Sequence, residues 1–484
     1  MAYEIVYSAP TANSDLSACV KELQSLLGSR VSADEGERLL VGKDFWPIAG
    51  NWLLQGRVPS LPDLVVWPEN SDEVCQIIEI ASRYRVPVIP FGEGSGVLGG
   101  VCAVSGGIVV DMKRMNHIIE LDEKSLLLTV ETGINGQSLE RSLNERGYTL
   151  RHIPQSIRCS TVGGWVACRA AGQFSTKYGK IEDMIVGLQA VLPDGSLYEN
   201  TIAPRTATGP RLDQLFLGAE GLLGIVTRAV LRIWPLPPES IGRSYAFASV
   251  DEALEAVRRI LQNNIRPAVV RIYDQSETSH HFKNIAAAEG KCMLILVMEG
   301  IAELVAVENQ VSERECLSEG GVDCGSEPVE HWFATRFNVS LSSTLIQHGA
   351  VVDTIEISAV WRVITPLYHQ LMENLKAVPG TFLAGGHFSH VYTDGACLYM
   401  TVIGMPPGSP DDYYRQIWDT AMITTHRGGG TISHHHGVGL NRARFMEMEH
   451  GTAGMKLLAQ VKQAVDPVGI MNPGKMGLGV SLNG

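Results

Sequence analysis

The sequence lacks the features of membrane, secreted and nucleic-acid-binding proteins. No apolar run approaches the ~20 residues that a transmembrane helix needs. The first ten residues have no basic segment followed by an apolar one, and the last residues match no targeting signal, so we expect a cytoplasmic protein. The net charge of −13, without any cluster of Lys and Arg, argues against nucleic acid as a partner.

The cysteine pattern gives no indication of a metal site or of disulfides. Nine cysteines are scattered along the chain without a C-x-x-C pair. Such an odd, unpatterned set is typical of buried thiols, so we expect no disulfide and no metal site from it. Internal repeats and low-complexity tracts are also absent. The chain has 484 residues, of which 45% are apolar and 19% charged, and this predicts a globular protein with two or three domains.

Helix and strand patterns are mixed throughout and predict an α+β fold. In the first half, a strand pattern precedes a helix that Asn70 and Glu73 would cap, and Leu139 and Leu143 mark one face of another helix. The proline cluster at 235–238 marks a domain boundary. The predicted strands are 64–67, 86–90, 107–111, 126–131, 185–192, 268–273 and 292–298, and the predicted helices beyond the boundary are 251–265 and 359–376.

A glycine-rich loop follows the predicted strand at 86–90. Residues 90–100 contain five glycines, which permit positive φ and let backbone N–H groups converge on phosphate oxygens. Gly94, Gly96 and Gly99 match the dinucleotide fingerprint, but that fingerprint needs a helix to begin at the loop, and residues 101–110 have no helical period. A plain turn would explain one or two of the glycines. The sequence therefore favours a phosphate-binding loop of a different fold.

Two further segments combine small residues with turn-forming glycines. Residues 160–167 carry hydroxyls and glycines that suit close approach to a flat ligand, although a small-residue helix start packed against a neighbour would look the same. Residues 218–225 form another glycine loop that leads into a strand.

In this order and spacing, the three segments resemble the FAD-binding domain of the vanillyl-alcohol oxidase / p-cresol methylhydroxylase superfamily. The likeness extends to 62–68, 178–183 and 472–475 and covers roughly 60–235 and the C-terminal end. It implies a two-subdomain FAD-binding domain, an α+β substrate (cap) domain and FAD as the cofactor. The expected segments are a helical N-terminus at 1–55, the FAD-binding domain at 56–238, the cap at 239–430, and 431–484 returning to the FAD site.

The resemblance also assigns the cofactor contacts. The first loop would hold the FAD pyrophosphate, and the second and third segments would hold the rest of the molecule. The residues expected to bind FAD are Pro90, Gly92, Glu93, Gly94, Ser95, Gly96, Val97, Ser156, Ser160, Thr161, Gly163, Gly164, Trp165, Glu220 and Ile225.

Four motifs resemble one branch of the superfamily, the alkyldihydroxyacetonephosphate synthase family. They are 433–439, 395–399, 160–165 and 270–274, within a likeness that runs over most of 60–475. That family exchanges the acyl group of acyl-dihydroxyacetone phosphate for a fatty alcohol, through a flavin N5 adduct and without net redox change. The resemblance implies a small-molecule or lipid substrate, a homodimer and peripheral membrane contact, although no basic amphipathic helix argues for that contact here.

The same resemblance gives catalytic roles to five residues. Tyr399 would handle the substrate proton, and Arg271 would face the substrate's anionic part. His434, His435 and His436 would activate the alcohol or orient the headgroup. Histidine suits such a role because it exchanges protons near neutral pH, whereas tyrosine becomes a base only where its phenolate is stabilised.

Other interpretations of these residues remain open. Tyr399 lies in the apolar strand pattern at 397–403, where a core tyrosine with a satisfied hydroxyl is expected as well. On an extended strand His434 and His436 share a face and His435 points away, which is too few ligands for a closed metal site, so we expect no metal. His387 and His390 would either line the pocket or cap a turn, and Arg442 is interpreted as half of a surface ion pair.

The chain departs from the synthase family at three positions. Ser342 stands where the family has a substrate-binding arginine, and Arg336, nearby in sequence, would need a different backbone path to replace it. Leu440 replaces a lysine and Gln155 an acidic residue. These changes concern the phosphate-bearing substrate and leave the FAD site intact.

Three functions are compatible with these residues. The histidine run and Tyr399 favour an alkyl transferase of the ether-lipid type. Because flavins usually accept hydride, an FAD-dependent oxidoreductase of a 2-hydroxy acid or another alcohol is the alternative. Its relatives commonly carry a Gly-His-x-Gly-Asp-Gly-Asn-like motif, which 386–390 lacks. A non-catalytic flavin-binding protein is the third, and the many ionisable residues argue against it.

Overall fold

The computed structural model describes residues 3–7, 16–338 and 340–479, without the side chains of 340–343. Helices and sheets are mixed, which confirms the α+β class. The helices are Leu16–Leu27, Glu35–Val41, Pro47–Leu54, Ser71–Tyr84, Gly136–Asn144, Val162–Cys168, Ser175–Tyr178, Ile181–Met184, Val250–Gln262, Gln275–His281, Ala302–Ser318, Glu327–Thr335, Ser340–Gln347, Trp361–Lys376, Pro410–Gly428 and Met446–Val465.

A four-stranded sheet carries the first glycine loop. Its spatial order is Val31–Ser32, Leu64–Val66, Ile108–Asp111 and Val88–Phe91, and only the first pair is antiparallel. The helix Ser71–Tyr84 begins where its cap was predicted, since the Asn70 side chain accepts the N–H of Glu73 at 2.9 Å. The apolar face of this helix packs against the sheet, and the loop begins where Val88–Phe91 ends.

A five-stranded antiparallel sheet lies next in the chain. Its spatial order is Leu197–Glu199, Ile185–Val191, Ile225–Arg232, Leu127–Glu131 and Ile118–Asp122. Its core includes the helices Gly136–Asn144 and Val162–Cys168, so the second glycine segment packs directly on this sheet. Two short strand pairs complete this half of the chain, Glu4–Ile5 with Arg57–Val58 and Tyr148–Thr149 with Trp234–Pro235.

A seven-stranded antiparallel sheet forms most of the second half. Its spatial order is Val322–Gly325, Glu239–Phe247, Cys292–Gly300, Val269–Tyr273, Thr381–Val391, Gly395–Gly404 and Val351–Val360. Apolar side chains on one face form a core with the helices Val250–Gln262, Ala302–Ser318, Trp361–Lys376 and Pro410–Gly428.

The opposite face of this sheet carries a row of polar side chains. Leu398 and Met400 enter the helix-covered core, so Tyr399 between them points to the other face. Directly opposite Tyr399 on the two neighbouring strands lie Glu356 and His387. Strand alternation therefore places these three side chains together, facing the FAD-binding half.

A bulge adds one more residue to this face. The strand pairing shifts register between Ser389 and Val391, and His390 has a φ of 50°. A bulge of this kind redirects a side chain that simple alternation would send into the core. His390 consequently lies on the same side as Tyr399.

The C-terminal segment returns to the first glycine loop. The Nδ2 of Asn472 donates to the carbonyls of Gly100 and Glu220 at 3.1 and 2.6 Å, and Lys475 Nζ donates to the carbonyl of Cys102 at 2.7 Å. We propose from the sheets and this return that 1–55, 56–238, 239–430 and 431–484 are distinct structural segments. In the described part of the chain, no helix is both long and apolar enough to cross a membrane.

Candidate active site

The glycine segments meet at one place, and their glycines are what allow it. A Cβ on Gly92 would lie 2.3 Å from Thr161 Oγ1, and one on Gly221 would lie 2.7 Å from Pro90 Cγ. Both distances are far below van der Waals contact. The three segments that the sequence singled out therefore form one continuous surface.

The first loop offers a row of free backbone donors. The N–H groups of residues 93–97 donate no hydrogen bond to any residue that the structure describes. Gly94, with a φ of 65°, makes the turn that other residues rarely adopt. Consecutive unpaired N–H groups form a concavity that suits phosphate oxygens, so this loop fits the pyrophosphate of FAD. A cleft of about 330 Å³ beside it is lined by Glu93, Lys113, Asn116, Gly133, Ile134, Asn135 and Ser138.

The second segment forms the start of a packed helix, which is one of the two interpretations given above. Thr161 Oγ1 accepts the N–H of Gly164 at 3.3 Å, and Ser160 Oγ accepts the Trp165 indole N–H at 2.8 Å. Both hydroxyls accept in these bonds, so each keeps its own hydrogen for a ligand. The Trp165 side chain is buried in the core. The FAD contacts of this segment, with those of Ser156 and Gly163, remain predictions.

The Glu220 side chain serves the histidine segment. Its carboxylate accepts the N–H groups of Val438 and Gly439 at 2.6 and 2.8 Å, and burial raises its pKa above the usual value. The side chain of Ile225 is buried in the core, which leaves its backbone for a cofactor. The third segment thus joins the cofactor half to the histidines.

A chain of hydrogen bonds runs through Tyr399. Its hydroxyl lies 2.9 Å from His390 Nε2 and 2.9 Å from His435 Nε2. Beyond His390, the Nδ1 contacts Ser175 Oγ at 2.6 Å. Beyond His435, the Nδ1 lies 2.9 Å from His434 Nδ1, and His434 Nε2 lies 2.9 Å from the Tyr392 hydroxyl. We call these six groups the relay.

Burial disfavours the charged forms of the histidines and tyrosines in the relay. Burial lowers the pKa of His390 and His435 well below the ordinary value, and neighbouring histidines add to the effect. Burial, then Lys180, lowers the pKa of His434 to about 3. Burial raises the pKa of Tyr399 well above its usual value. Tyr399 as a whole is half-buried and keeps part of its surface accessible.

The histidine run is a bend and not a strand, so the expected strand geometry was wrong. Glu356 stabilises the bend, because its carboxylate accepts the N–H groups of His434 and His436 at 2.5 and 3.0 Å. These bonds curve the backbone, and the rings of His434 and His435 meet instead of pointing apart.

Arg442 is fully buried, so its interpretation as a surface ion pair was also wrong. Its Nη1 lies 2.9 Å from Glu356 Oε1, and neither side chain has any exposure. Burial raises the pKa of Glu356, but Arg442 and the nearby histidines more than offset this and bring it to about 2. Glu356, Cys397, His434 and His435 have donor atoms within 4.8 Å of one another. The carboxylate is committed to Arg442 and backbone N–H groups, and burial raises the pKa of the Cys397 thiol, so these donors suit a metal poorly.

Arg271 borders the relay on the same face of the sheet. Its guanidinium carbon lies 5.3 Å from the ring of Tyr273, the residue that pairs with His387. His387 stacks on Tyr399 at 4.5 Å, so the pocket interpretation of His387 fits the structure. Ser342 falls in the helix Ser340–Gln347, and its side chain lies outside the described part of the chain.

Some residues of the site gave no usable signal in the sequence. Asp44 is buried and accepts the N–H groups of Gly99 and Gly100 at 2.9 and 3.1 Å, and burial raises its pKa to about 7. Lys180 Nζ donates to the carbonyl of His434 at 2.7 Å. Lys180 lies in a motif quoted above, but nothing in that motif indicates a partner 254 residues away.

Comparisons with known proteins agree with this geometry. Residues 62–200 match the family described as FAD binding domain, and residues 238–476 match the FAD linked oxidases, C-terminal domain. The p-cresol methylhydroxylase structure superposes with a TM-score of 0.78 at 19% identity, over 98% of this chain and 99% of that one, which shows the fold.

Two curated relatives cover most of the chain. It is 29% identical over 508 residues to the alkyldihydroxyacetonephosphate synthase of Caenorhabditis elegans, covering 96% of this chain and 84% of that protein. It is 31% identical over 432 residues to the uncharacterised FAD-linked oxidoreductase YgcU of Escherichia coli, covering 86% of this chain and 88% of that protein. The chain is therefore an enzyme that belongs to the family of FAD-linked oxidases, with FAD as its cofactor.

Proposed function

We propose that the enzyme exchanges the acyl group of an acylated ketone phosphate for a long-chain alcohol, in the manner of alkyldihydroxyacetonephosphate synthase. The observation that carries this proposal is the relay, with the Tyr399 hydroxyl held between His390 and His435. The likeness to the synthase of Caenorhabditis elegans supports it.

The relay suits a reaction that takes up a proton and later returns it. Tyr399 Oη can accept a proton from the substrate while it passes its own proton to a neighbouring histidine. The acceptor is whichever of His390 and His435 has an unprotonated Nε2. Both histidines have lowered pKa values, so a protonated ring is a strong acid and gives the proton back readily. Replacement of the acyloxy group by the alkoxy group of the alcohol, with release of the fatty acid, leaves the oxidation state unchanged and requires this return.

The cofactor and the protein contribute different parts of the chemistry. Bound FAD supplies an electron-poor ring that accepts electrons from a substrate carbon. The protein's own groups orient the substrate and move the proton, while Glu356 and Arg442 hold the histidine bend in place. We propose the residues assigned above from the resemblance as the FAD contacts.

An oxidoreductase acting on a 2-hydroxy acid or another alcohol is the second candidate. The identity to the FAD-linked oxidoreductase YgcU favours it. The same relay would then carry a hydroxyl proton away, and bound FAD would supply the hydride acceptor. From the resemblance and the composition we also propose a cytoplasmic homodimer.

Anaerobic absorbance measurements separate the two candidates. Transfer predicts that an acylated ketone phosphate bleaches the oxidised flavin band and that a long-chain alcohol restores it without oxygen. Oxidation predicts bleaching by a 2-hydroxy acid that only an electron acceptor reverses. Bleaching by the hydroxy acid alone would overturn the transfer proposal.

The control for this measurement is a variant that removes a single oxygen. Tyr399→Phe keeps the ring, and with it the stacking on His387, but breaks the relay at its centre. Flavin content should match that of the wild type, and the rate of bleaching should fall by about 100-fold or more. Full turnover in this variant would remove Tyr399 from the mechanism.

A further inference from the structure

Two half-buried arginines, Arg271 beside the relay and Arg336 beside Arg271, lack a carboxylate partner. Among the described residues, no carboxylate oxygen lies within 4.0 Å of Arg271 or Arg336. The Nε of Arg271 and the Nε and Nη1 of Arg336 are buried without any hydrogen-bond partner. A buried guanidinium is costly unless a negative charge compensates it.

Shared aromatic rings hold these arginines together. The guanidinium carbons of Arg271 and Arg336 lie 5.8 and 5.2 Å from the centroid of the same ring, that of Trp332. Arg336 is further surrounded by Phe174, Phe333 and Phe337, at 5.8, 4.8 and 4.8 Å. Rings that cover the faces of a guanidinium leave its N–H edge as the part that can bind.

A third arginine nearby, Arg151, is already paired and adds neither net charge nor a free donor. Arg151 lies 5.0 Å from the Phe174 ring and binds Glu299 through two bonds of 2.8 and 3.0 Å. That pair is self-compensated, so two positive charges remain. The pKa of Arg336 reflects the crowding, since burial, then Arg151 and Arg271, lower it to about 10.

We infer that Arg336 joins Arg271, to which the resemblance assigns the substrate's anionic part, in binding a phosphate monoester group of the substrate. Two uncompensated positive charges match a dianion, whereas a carboxylate would neutralise only one. Both guanidinium groups keep N–H donors that no described residue accepts, the Nε of Arg271 and the Nε and Nη1 of Arg336. Arg336 would thereby supply the fixed charge that Ser342 cannot, from a different position in the chain.

This inference rests on the proposed function, because it names the substrate class of the same site. Arg271 is on the strand next to His387, so a phosphate held there keeps the adjoining carbons of the substrate beside Tyr399. Arg336 acts as a specificity-determining residue and takes no part in proton transfer.

Calorimetric titration of the FAD-bound enzyme with inorganic phosphate and with glycerol 3-phosphate tests the site without turnover. Arg336→Met keeps the aromatic packing and should weaken binding of both probes by about 10- to 100-fold. Arg336→Lys should retain part of the affinity. Arg158→Met is the matched control, because the guanidinium carbon of Arg158 lies 5.1 Å from the same Phe337 ring but the residue is exposed. This variant should bind both probes with the affinity of the wild type.

The outcomes separate this inference from the proposed function. Unchanged phosphate binding in Arg336→Met, with wild-type flavin content and melting temperature, would overturn the site. Equal affinity for acetate and phosphate would overturn the assignment to a phosphate monoester. If the wild-type enzyme binds phosphate in a way that depends on Arg336 but does not catalyse alkyl exchange, the transfer proposal is overturned and the phosphate site is retained.

Discussion

Arg442→Met removes the cation of a fully buried ion pair while keeping most of the side-chain volume. The Nη1 of Arg442 lies 2.9 Å from Glu356 Oε1, 3.0 Å from Ser433 Oγ and 2.9 Å from the carbonyl of Gly437. In the variant, Glu356 becomes a buried carboxylate without a cation. The histidine bend, which rests on this carboxylate, loses its support.

The pKa of Glu356 indicates the size of the effect. Burial raises this pKa, but Arg442 and then His436 and His434 bring it from 4.5 to about 2. A lowering of this size corresponds to roughly 3 kcal/mol of stability at neutral pH. Removing one partner of a buried pair costs about 3–5 kcal/mol. We therefore expect Arg442→Met to lower the free energy of unfolding by about 3–5 kcal/mol at pH 7.

The loss should depend on pH in a defined direction. In the wild type the folded pKa of Glu356 lies below 4.5, so its stabilisation is complete above pH 4.5 and is lost as the pH falls towards 2. In the variant, burial without Arg442 raises that pKa, and the carboxyl takes up a proton as the pH falls below neutral. The difference between wild type and variant should therefore be larger at pH 7 than at pH 4.5.

Urea unfolding followed by circular dichroism measures both effects. FAD must be present at the same excess in every sample, because bound ligand adds to apparent stability. Arg444→Met is the control: its side chain is 33% exposed and pairs with Asp419 at 2.9 Å, so its loss should be about 0–1 kcal/mol. An equally small loss for Arg442→Met, or a difference that widens towards pH 4.5, would refute the reasoning.

Two further predictions concern the cofactor loop and the histidines. Gly92→Ala places a Cβ 2.3 Å from Thr161 Oγ1 and should weaken FAD binding by about 10- to 100-fold. Gly100→Ala is the control, because its Cβ would lie 3.8 Å from the nearest atom, Glu220 Oε2, and fluorescence titration with FAD should give the wild-type affinity. The acid limb of kcat/KM should lie below pH 5, because lowered pKa values keep the site histidines neutral through pH 6.5; a midpoint near 6.5 would contradict this. Burial is the main cause of those lowered values, which reach about 4 for His387 and His436 and about 3 for His434.

Much of the fold follows from local sequence rules. The Asn70 cap and the predicted strands depend on short-range patterns that packing did not override. The alternation in Gly395–Gly404 fixes the face on which Tyr399 lies, since Leu398 and Met400 must enter the core. The order of the glycine segments indicated the cofactor through resemblance.

The remaining parts of the site depend on contacts between distant segments. The bend at His434 to His436 exists because Glu356, on another strand, binds its N–H groups, and no local pattern announces it. His390 reaches Tyr399 through a bulge, which breaks the alternation that a sequence reader must assume. Arg442 looked like a surface residue because its partner lies 86 residues away.

Turnover without an electron acceptor tests the central claim most directly. The purified enzyme with FAD is mixed anaerobically with an acylated ketone phosphate and a long-chain alcohol, and the products are counted by mass spectrometry. Transfer through the relay predicts many molecules of ether product per enzyme, and none from Tyr399→Phe. Product that stops at one molecule per flavin and resumes only when an electron acceptor is added would contradict it.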